Sequence, residues 1–182
     1  MTAPDAVKVL HEAAQSGIDV MVHNAGITRD KTLARMKPEL WDQALAVNLG
    51  AVVRITDGLV ERGLNDGGRV VCLSSVAGIA GNFGQTNYAS AKAGIIGYVA
   101  ALAGAVRARG ITVNALAPGF VETRLTAAIP AVTREIGRRM AALGQGGVPG
   151  DVAELAVFLA SPGAVGVTGQ TLRICGGNFI GA

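Results

Sequence analysis

"GRVVCLSS" (68–75) and "ITVNALAPG" (111–119) are short apolar runs, rich in β-branched residues and closed by turn-forming residues. Between them, after a Gly-rich loop, residues 87–109 read as one long helix. Strands that are apolar throughout, rather than alternating, are buried on both faces. A strand, a long helix and a second such strand make a parallel βαβ unit. The same rhythm extends outward in both directions. Residues 5–16 read as a helix stopped by Gly17, "IDVMVH" (18–23) as a buried strand, and 37–63 as a long helix with Pro38 in its first turn. Beyond 119, a segment of helical character runs to about Leu143. A helix at 149–161 and a last strand at 170–177 follow. The expected fold is α/β, a parallel sheet flanked by helices. Ligands bind such sheets just past the C-terminal ends of the strands. That rule selects "NAG" (24–26), "SSVAG" (74–78) and "PGFVET" (118–123).

The totals fit one domain with an ample core. The chain has 182 residues, half of them hydrophobic, with only 4% aromatic, so Ala, Val, Leu and Ile must build the interior. The net charge of +3 is dispersed, with no basic cluster of the kind that tracks nucleic acid. Cys72 and Cys175 lie in apolar runs without metal-ligand spacing and read as buried, reduced thiols. The N-terminus has neither a signal-peptide pattern nor an apolar run of membrane length, so a cytoplasmic protein without membrane partners is the expectation.

Tyr88 and Lys92 lie four residues apart, on one helix face, in "TNYASAKAG" (86–94). An ammonium beside a phenol favours the phenolate and would lower the tyrosine pKa, fitting it for proton transfer at a carbonyl or alcohol oxygen. Alone, the pair is equally an ordinary surface pair. Ser75 closes a strand at the ligand-binding edge and could bond the same oxygen, or simply cap a turn. Asn48 sits mid-helix, where asparagine is mildly unfavourable. Either a neighbouring backbone satisfies it or it orients a water behind Lys92.

In order and spacing, "VHNAG" (22–26), Asn48, "SSVAG", Tyr88-x-x-x-Lys92 and "PGFVET" resemble the short-chain dehydrogenases/reductases. The resemblance covers essentially the whole chain. "NAGITRD", "GNFGQTNYASAKAG", "RGITVNALAPGFVET" and "VTGQTLRICGG" look closest to the 3-oxoacyl-carrier-protein reductase branch. It implies a Rossmann-like fold and hydride transfer between NAD or NADP and a carbonyl carbon. By position, Tyr88 would be the general acid and Ser75 would polarise the carbonyl. Lys92 would lower the tyrosine pKa and bond the nicotinamide ribose, and Asn48 would anchor a relay water. Asn24, Ala25 and Gly26 would pack on the adenosine side. Pro118, Gly119 and Val121 would orient the nicotinamide, with Thr123 near its carboxamide or the phosphates. The implied partners are a thioester substrate, borne on acyl carrier protein, and further copies of the chain in a homotetramer or dimer. Arg107, Arg109 and Arg124 could receive an acidic carrier, or simply solvate helix ends.

Two departures from the family pattern stand out. His23 occupies a place where relatives carry a second asparagine, either as a strand-end residue or as a modest change in cofactor contact. The opening strand, Gly-rich turn and helix on which a pyrophosphate rests are missing before "VHNAG". The strand at 18–23 should therefore be an exposed edge. The expectation is a partial domain over residues 1–182, a truncated product, part of a longer protein or a half that needs a complement, in which the choice between NAD and NADP cannot be read. Two other functions stay open. One is a non-catalytic oligomerisation module; the other is a dehydrogenase for a different alcohol or ketone.

Overall fold

A computed structural model of the chain describes residues 2–3, 5–14, 16–127 and 130–178. Its sheet has four parallel strands in the order β1-β2-β3-β4: β1 (Ile18–His23), β2 (Leu64–Leu73), β3 (Thr112–Pro118) and β4 (Thr171–Ile174). The apolar strands split their side chains between two helical layers. Val70 and Cys72 of β2 and Val113 and Ala115 of β3 face α3 (Ala51–Arg62) and α5 (Thr86–Ala105). There they meet Ile55, Leu59, Ile95 and Val99. Val71 and Leu116 face the other way, onto Leu159 of α8 (Pro149–Ala160). The absence of alternation in the sequence thus reflects a sheet covered on both faces at its centre.

The remaining helices are α1 (Ala6–Ala13), α2 (Pro38–Leu45), α4 (Val76–Ala80), α6 (Arg124–Ala127) and α7 (Ala131–Arg139). Several expected boundaries move. The helix expected at 37–63 is interrupted by a π-helical turn at Ala46–Gly50, which separates α2 from α3. The strand expected at 68–75 begins earlier and ends at Leu73, so Ser74 and Ser75 lie beyond it. The Gly-rich stretch after it opens with α4 rather than with loop, because Ser75 caps the helix and accepts from Ala77 N–H at 3.1 Å. The α5 helix stops at Ala105, and Arg107–Arg109 form a 3₁₀ turn.

By length and composition alone, Pro38–Arg62 is long and apolar enough to cross a membrane. Its apolar side is instead committed to the fold, with Ala44, Ala51, Val52, Ile55 and Leu59 buried.

The β1 strand is an edge of the sheet, as expected. Val20 and Val22 on its α8-side face are each 41% exposed. No strand among the described residues pairs with its outer side. His23, the last residue of β1, turns into the core at 2% exposure. Its Nε2 meets Thr56 Oγ1 at 2.7 Å, and Nδ1 is buried without a partner. It is a core residue at the strand end rather than a group aimed at the ligand edge. Burial pushes its pKa down to about 4.

That shift links stability to pH. Between pH 6.5 and 4 the unfolded chain protonates this imidazole and the folded chain does not, so stability is present above 6.5 and is lost as pH falls toward 4. The loss should be roughly 3 kcal/mol from this residue. In urea unfolding across that range, the His23→Asn variant should show a visibly flatter pH dependence than the parent.

Candidate active site

The ends of β1, β2 and β3 meet α5 at one edge of the sheet. Asn87 fixes the start of α5. It is fully buried; its Nδ2 donates to Arg29 O (3.0 Å) and Leu40 O (3.1 Å), and its Oδ1 accepts from Tyr88 N–H (2.8 Å). This residue, which the sequence reading passed over, ties the loop after β1 and helix α2 to the turn that carries Tyr88.

The α4 helix lies hard against α5. A Cβ on Gly78 would come within 2.7 Å of Lys92 C and 2.8 Å of Ala93 N, so only glycine permits this approach. Ser74 Oγ donates to Lys92 O at 2.8 Å, and Lys92 Nζ donates to Leu73 O at 2.5 Å. Three contacts thus weld the β2–α4 corner, which carries Ser75, to the helix that carries Tyr88 and Lys92. Ser75 and Tyr88 line one cavity of about 450 Å³. The lysine ammonium sits 5.6 Å from the centroid of the Tyr88 ring, over its face.

The electrostatics correct the expected pairing. The Tyr88 pKa is raised, not lowered. Burial is the largest cause, a hydrogen bond with Ser75 pulls the other way, and the nearby Asp30 carboxylate adds to the rise. Desolvation outweighs the lysine here because the ammonium is itself buried and committed to Leu73 O. Burial lowers Lys92 to about 8, with the Cys72 thiol opposing, and pushes Cys72 up to about 12.

Asn48 belongs to the π-helical turn and is fully buried. Its Oδ1 accepts from Ile27 N–H (3.0 Å) and its Nδ2 donates to Ile27 O (2.9 Å). Both ends of the amide therefore clamp the loop after β1. This is the backbone-satisfied alternative, and it leaves that amide little to offer a relay water. Asn24, Ala25 and Gly26 are exposed. Gly26 is required by sterics, since a Cβ there would stand 2.8 Å from Asn48 Oδ1 and 3.7 Å from Lys92 Nζ.

Pro118 ends β3, and Gly119 N–H donates to Ile174 O at 2.9 Å. Gly119 and Val121 line the cavity with Ser75 and Tyr88. Thr123 is occupied at the start of α6, where its Oγ1 accepts from Thr126 N–H at 3.2 Å, and it does not line the cavity. Sequence reasoning also missed the other walls. Asp30, Asn82 and Gln85 form a polar side, joined by Gln85 Nε2 donating to Asp30 (2.8 Å) and Asn82 Nδ2 donating to Gln85 (2.7 Å). Phe120, Ile136 and Met140 form an apolar side. Asp30, Asn82 and Gln85 stand inside the quoted motifs "NAGITRD" and "GNFGQTNYASAKAG", which is the only signal that could have found them.

Of the arginines considered for a carrier, Arg109 is spent internally, on Asp66 Oδ1 (2.6 Å), Val60 O and Leu64 O. Arg107 bonds Gly104 O at 2.7 Å. Neither lines the cavity. The Arg124 side chain and residues 179–182 lie outside the described residues.

The comparisons agree with this geometry. A short-chain dehydrogenase family model described as enoyl-(acyl carrier protein) reductase matches residues 2–178. The 3-oxoacyl-[acyl-carrier-protein] reductase FabG of Vibrio cholerae is 40% identical over 185 residues, covering 99% of this chain and 75% of the relative. Its counterparts in Thermotoga maritima and Escherichia coli are 48% and 42% identical, each over 90% of this chain and 67% of their own length. The chain thus spans about two thirds to three quarters of these relatives. Among solved structures, the angucycline C-6 ketoreductase LanV with bound NADP superposes with a TM-score of 0.91 at 26% identity, over 100% of this chain and 74% of LanV. A parallel sheet with a serine, a tyrosine and a lysine gathered at its C-terminal edge, and matches that run nearly end to end, make this chain a member of the short-chain dehydrogenase/reductase family.

Proposed function

We propose that the protein reduces the ketone of a 3-oxoacyl thioester, borne on acyl carrier protein, to the 3-hydroxyacyl form with NADH or NADPH. The observation that carries this reading is the shared cavity of Ser75 and Tyr88, with the Lys92 ammonium over the tyrosine ring. The relatives named above, at 40–48% identity, supply the substrate class. The same reading gives the chain a cytoplasmic setting and a homo-oligomeric assembly.

The residues present fit the nicotinamide end of such a cofactor. Gly119 and Val121 line the same cavity as Ser75 and Tyr88. Pro118, Gly119 and Val121 would hold the ring, Lys92 its ribose, and Asn24, Ala25 and Gly26 the adenosine side. Bound there, a reduced nicotinamide supplies the hydride that the carbonyl carbon accepts.

The rest of the chemistry falls to the chain. Ser75 Oγ accepts from Ala77 N–H, and its own proton, which bonds Tyr88 here, would turn to the substrate carbonyl oxygen. Tyr88 donates the second hydrogen bond and passes its proton to that oxygen as the alcohol forms. Burial serves this direction of reaction, because it keeps Tyr88 a phenol until the substrate takes the proton. The phenolate that results lies beneath the Lys92 ammonium, which stabilises it, and solvent reprotonates it. Asn48 holds the loop after β1 in place through Ile27.

A non-catalytic role in assembly is the second reading: among the described residues no strand pairs with the outer side of β1, an edge that another chain could cover. The match to LanV keeps a different ketone in view as substrate. Titration with NADH and NADPH, followed by cofactor fluorescence, separates the first alternative. A chain that perturbs neither cofactor serves assembly rather than catalysis.

Acetoacetyl thioester reduction tests the proposal itself. Tyr88→Phe should lose about 10²–10⁴-fold in kcat/KM while unfolding as cooperatively as the parent. The rate of reduction should be flat at neutral pH and fall as pH rises through about 8, where Lys92 loses its charge while Tyr88 is still a phenol. A rate that rises through pH 8 would contradict the assignment.

A further inference from the structure

The apolar wall of the cavity is set by a single ring caught between two glycines. Phe120 follows Gly119 in the loop after β3. A Cβ on Gly137 of α7 would stand 2.9 Å from Phe120 Cδ2 and 3.0 Å from its Cγ. A Cβ on Gly146 would stand 3.1 Å from Phe120 Cδ1. Each of these contacts is under 3.4 Å, so neither glycine can take a Cβ unless the ring or the backbone beside it shifts.

The same three segments are tied in two further ways. Arg138 Nε donates to Glu122 Oε1 at 2.5 Å. Phe120 and Glu122 pair through their backbones with Gly147: Gly147 N–H donates to Phe120 O (2.9 Å), and Glu122 N–H donates to Gly147 O (2.9 Å). None of the residues of α7 is buried. The helix is therefore held over the cavity by this clasp and not by a core of its own. From the clasped unit, Phe120, Ile136, Gly137 and Met140 all face the cavity.

We propose that Gly137 and Phe120 form the specificity-determining contact of the site: the ring seated against Gly137 sets how much acyl chain fits between the reacting carbonyl and α7. A methyl at residue 137 has no room beside the ring. Either the ring turns into the cavity or α7 lifts away from it. A turned ring shortens the space beside Ile136 and Met140 and leaves the Ser75–Tyr88 end as it was. This inference rests on the acyl-thioester reading given above.

The test is calorimetric binding of 3-oxobutanoyl and 3-oxodecanoyl thioesters of N-acetylcysteamine to the intact protein, which needs no turnover. Gly137→Ala should weaken the ten-carbon ligand about tenfold or more relative to the four-carbon one, the range that one methyl-sized mismatch produces in an apolar pocket. The double variant Gly137→Ala/Phe120→Leu should restore the parent's ratio, because the smaller side chain yields to the methyl. A purely structural defect would weaken both ligands alike and leave the ratio unmoved, and that result overturns the proposal. If the parent protein binds neither thioester, the acyl reading itself fails and this inference fails with it. If it binds both with a ratio that Gly137→Ala does not change, only the inference fails.

Discussion

The site depends on one close approach. At Gly78, helix α4 touches the backbone of α5 at Lys92 and Ala93, at separations that leave no room for a side chain. Ser75 caps α4 on one side of this contact, and Tyr88 and Lys92 project from α5 on the other. The hydrogen bonds Ser74 Oγ to Lys92 O and Lys92 Nζ to Leu73 O close the same corner. A reaction that needs two donors on one oxygen requires their separation to be fixed before the substrate arrives. Here backbone packing fixes it, beneath side chains that are otherwise small.

Burial does the electrostatic work that the side-chain pair alone does not. It raises the Tyr88 phenol, lowers the Lys92 ammonium to about 8, lowers His23 to about 4 and raises Cys72 to about 12. All four shifts have desolvation as their largest cause. A proton donor that stays protonated and a cation placed to receive the resulting anion suit reduction of a carbonyl. The Lys92 ammonium stands over the ring face, 5.6 Å from its centroid, and whatever it gives the phenolate is outweighed by burial.

Much of this was legible in the sequence, for physical reasons. Unbroken apolar runs such as "RVVCL", short and rich in β-branched residues, suit strands covered on both faces, and α8 and α5 do cover them. The four-residue spacing of Tyr88 and Lys92 placed them on one face of α5 correctly. The rest is tertiary. The π-helical turn at Ala46–Gly50 keeps an apolar helical pattern, and it places Asn48 against the backbone of Ile27, a contact of 21 residues' separation. The α4 helix is hidden because Gly78 and the glycines after it read as loop, although Gly78 is there for packing and not for turning. The sign of the Tyr88 shift depends on burial and on where Lys92 Nζ goes, and spacing carries neither. The Phe120 clasp joins three segments through contacts that no local pattern marks.

The most direct measurement of the central claim is the steady-state reduction of acetoacetyl thioester by the intact Gly78→Ala protein. Circular dichroism and cooperative unfolding would confirm that the fold survives. If packing at Gly78 sets the distance between Ser75 and Tyr88, kcat/KM should fall on the order of 10²-fold while the secondary structure is unchanged. Activity that stays within about threefold of the parent would contradict it, because differences of that size lie far below what misplaced donors cost.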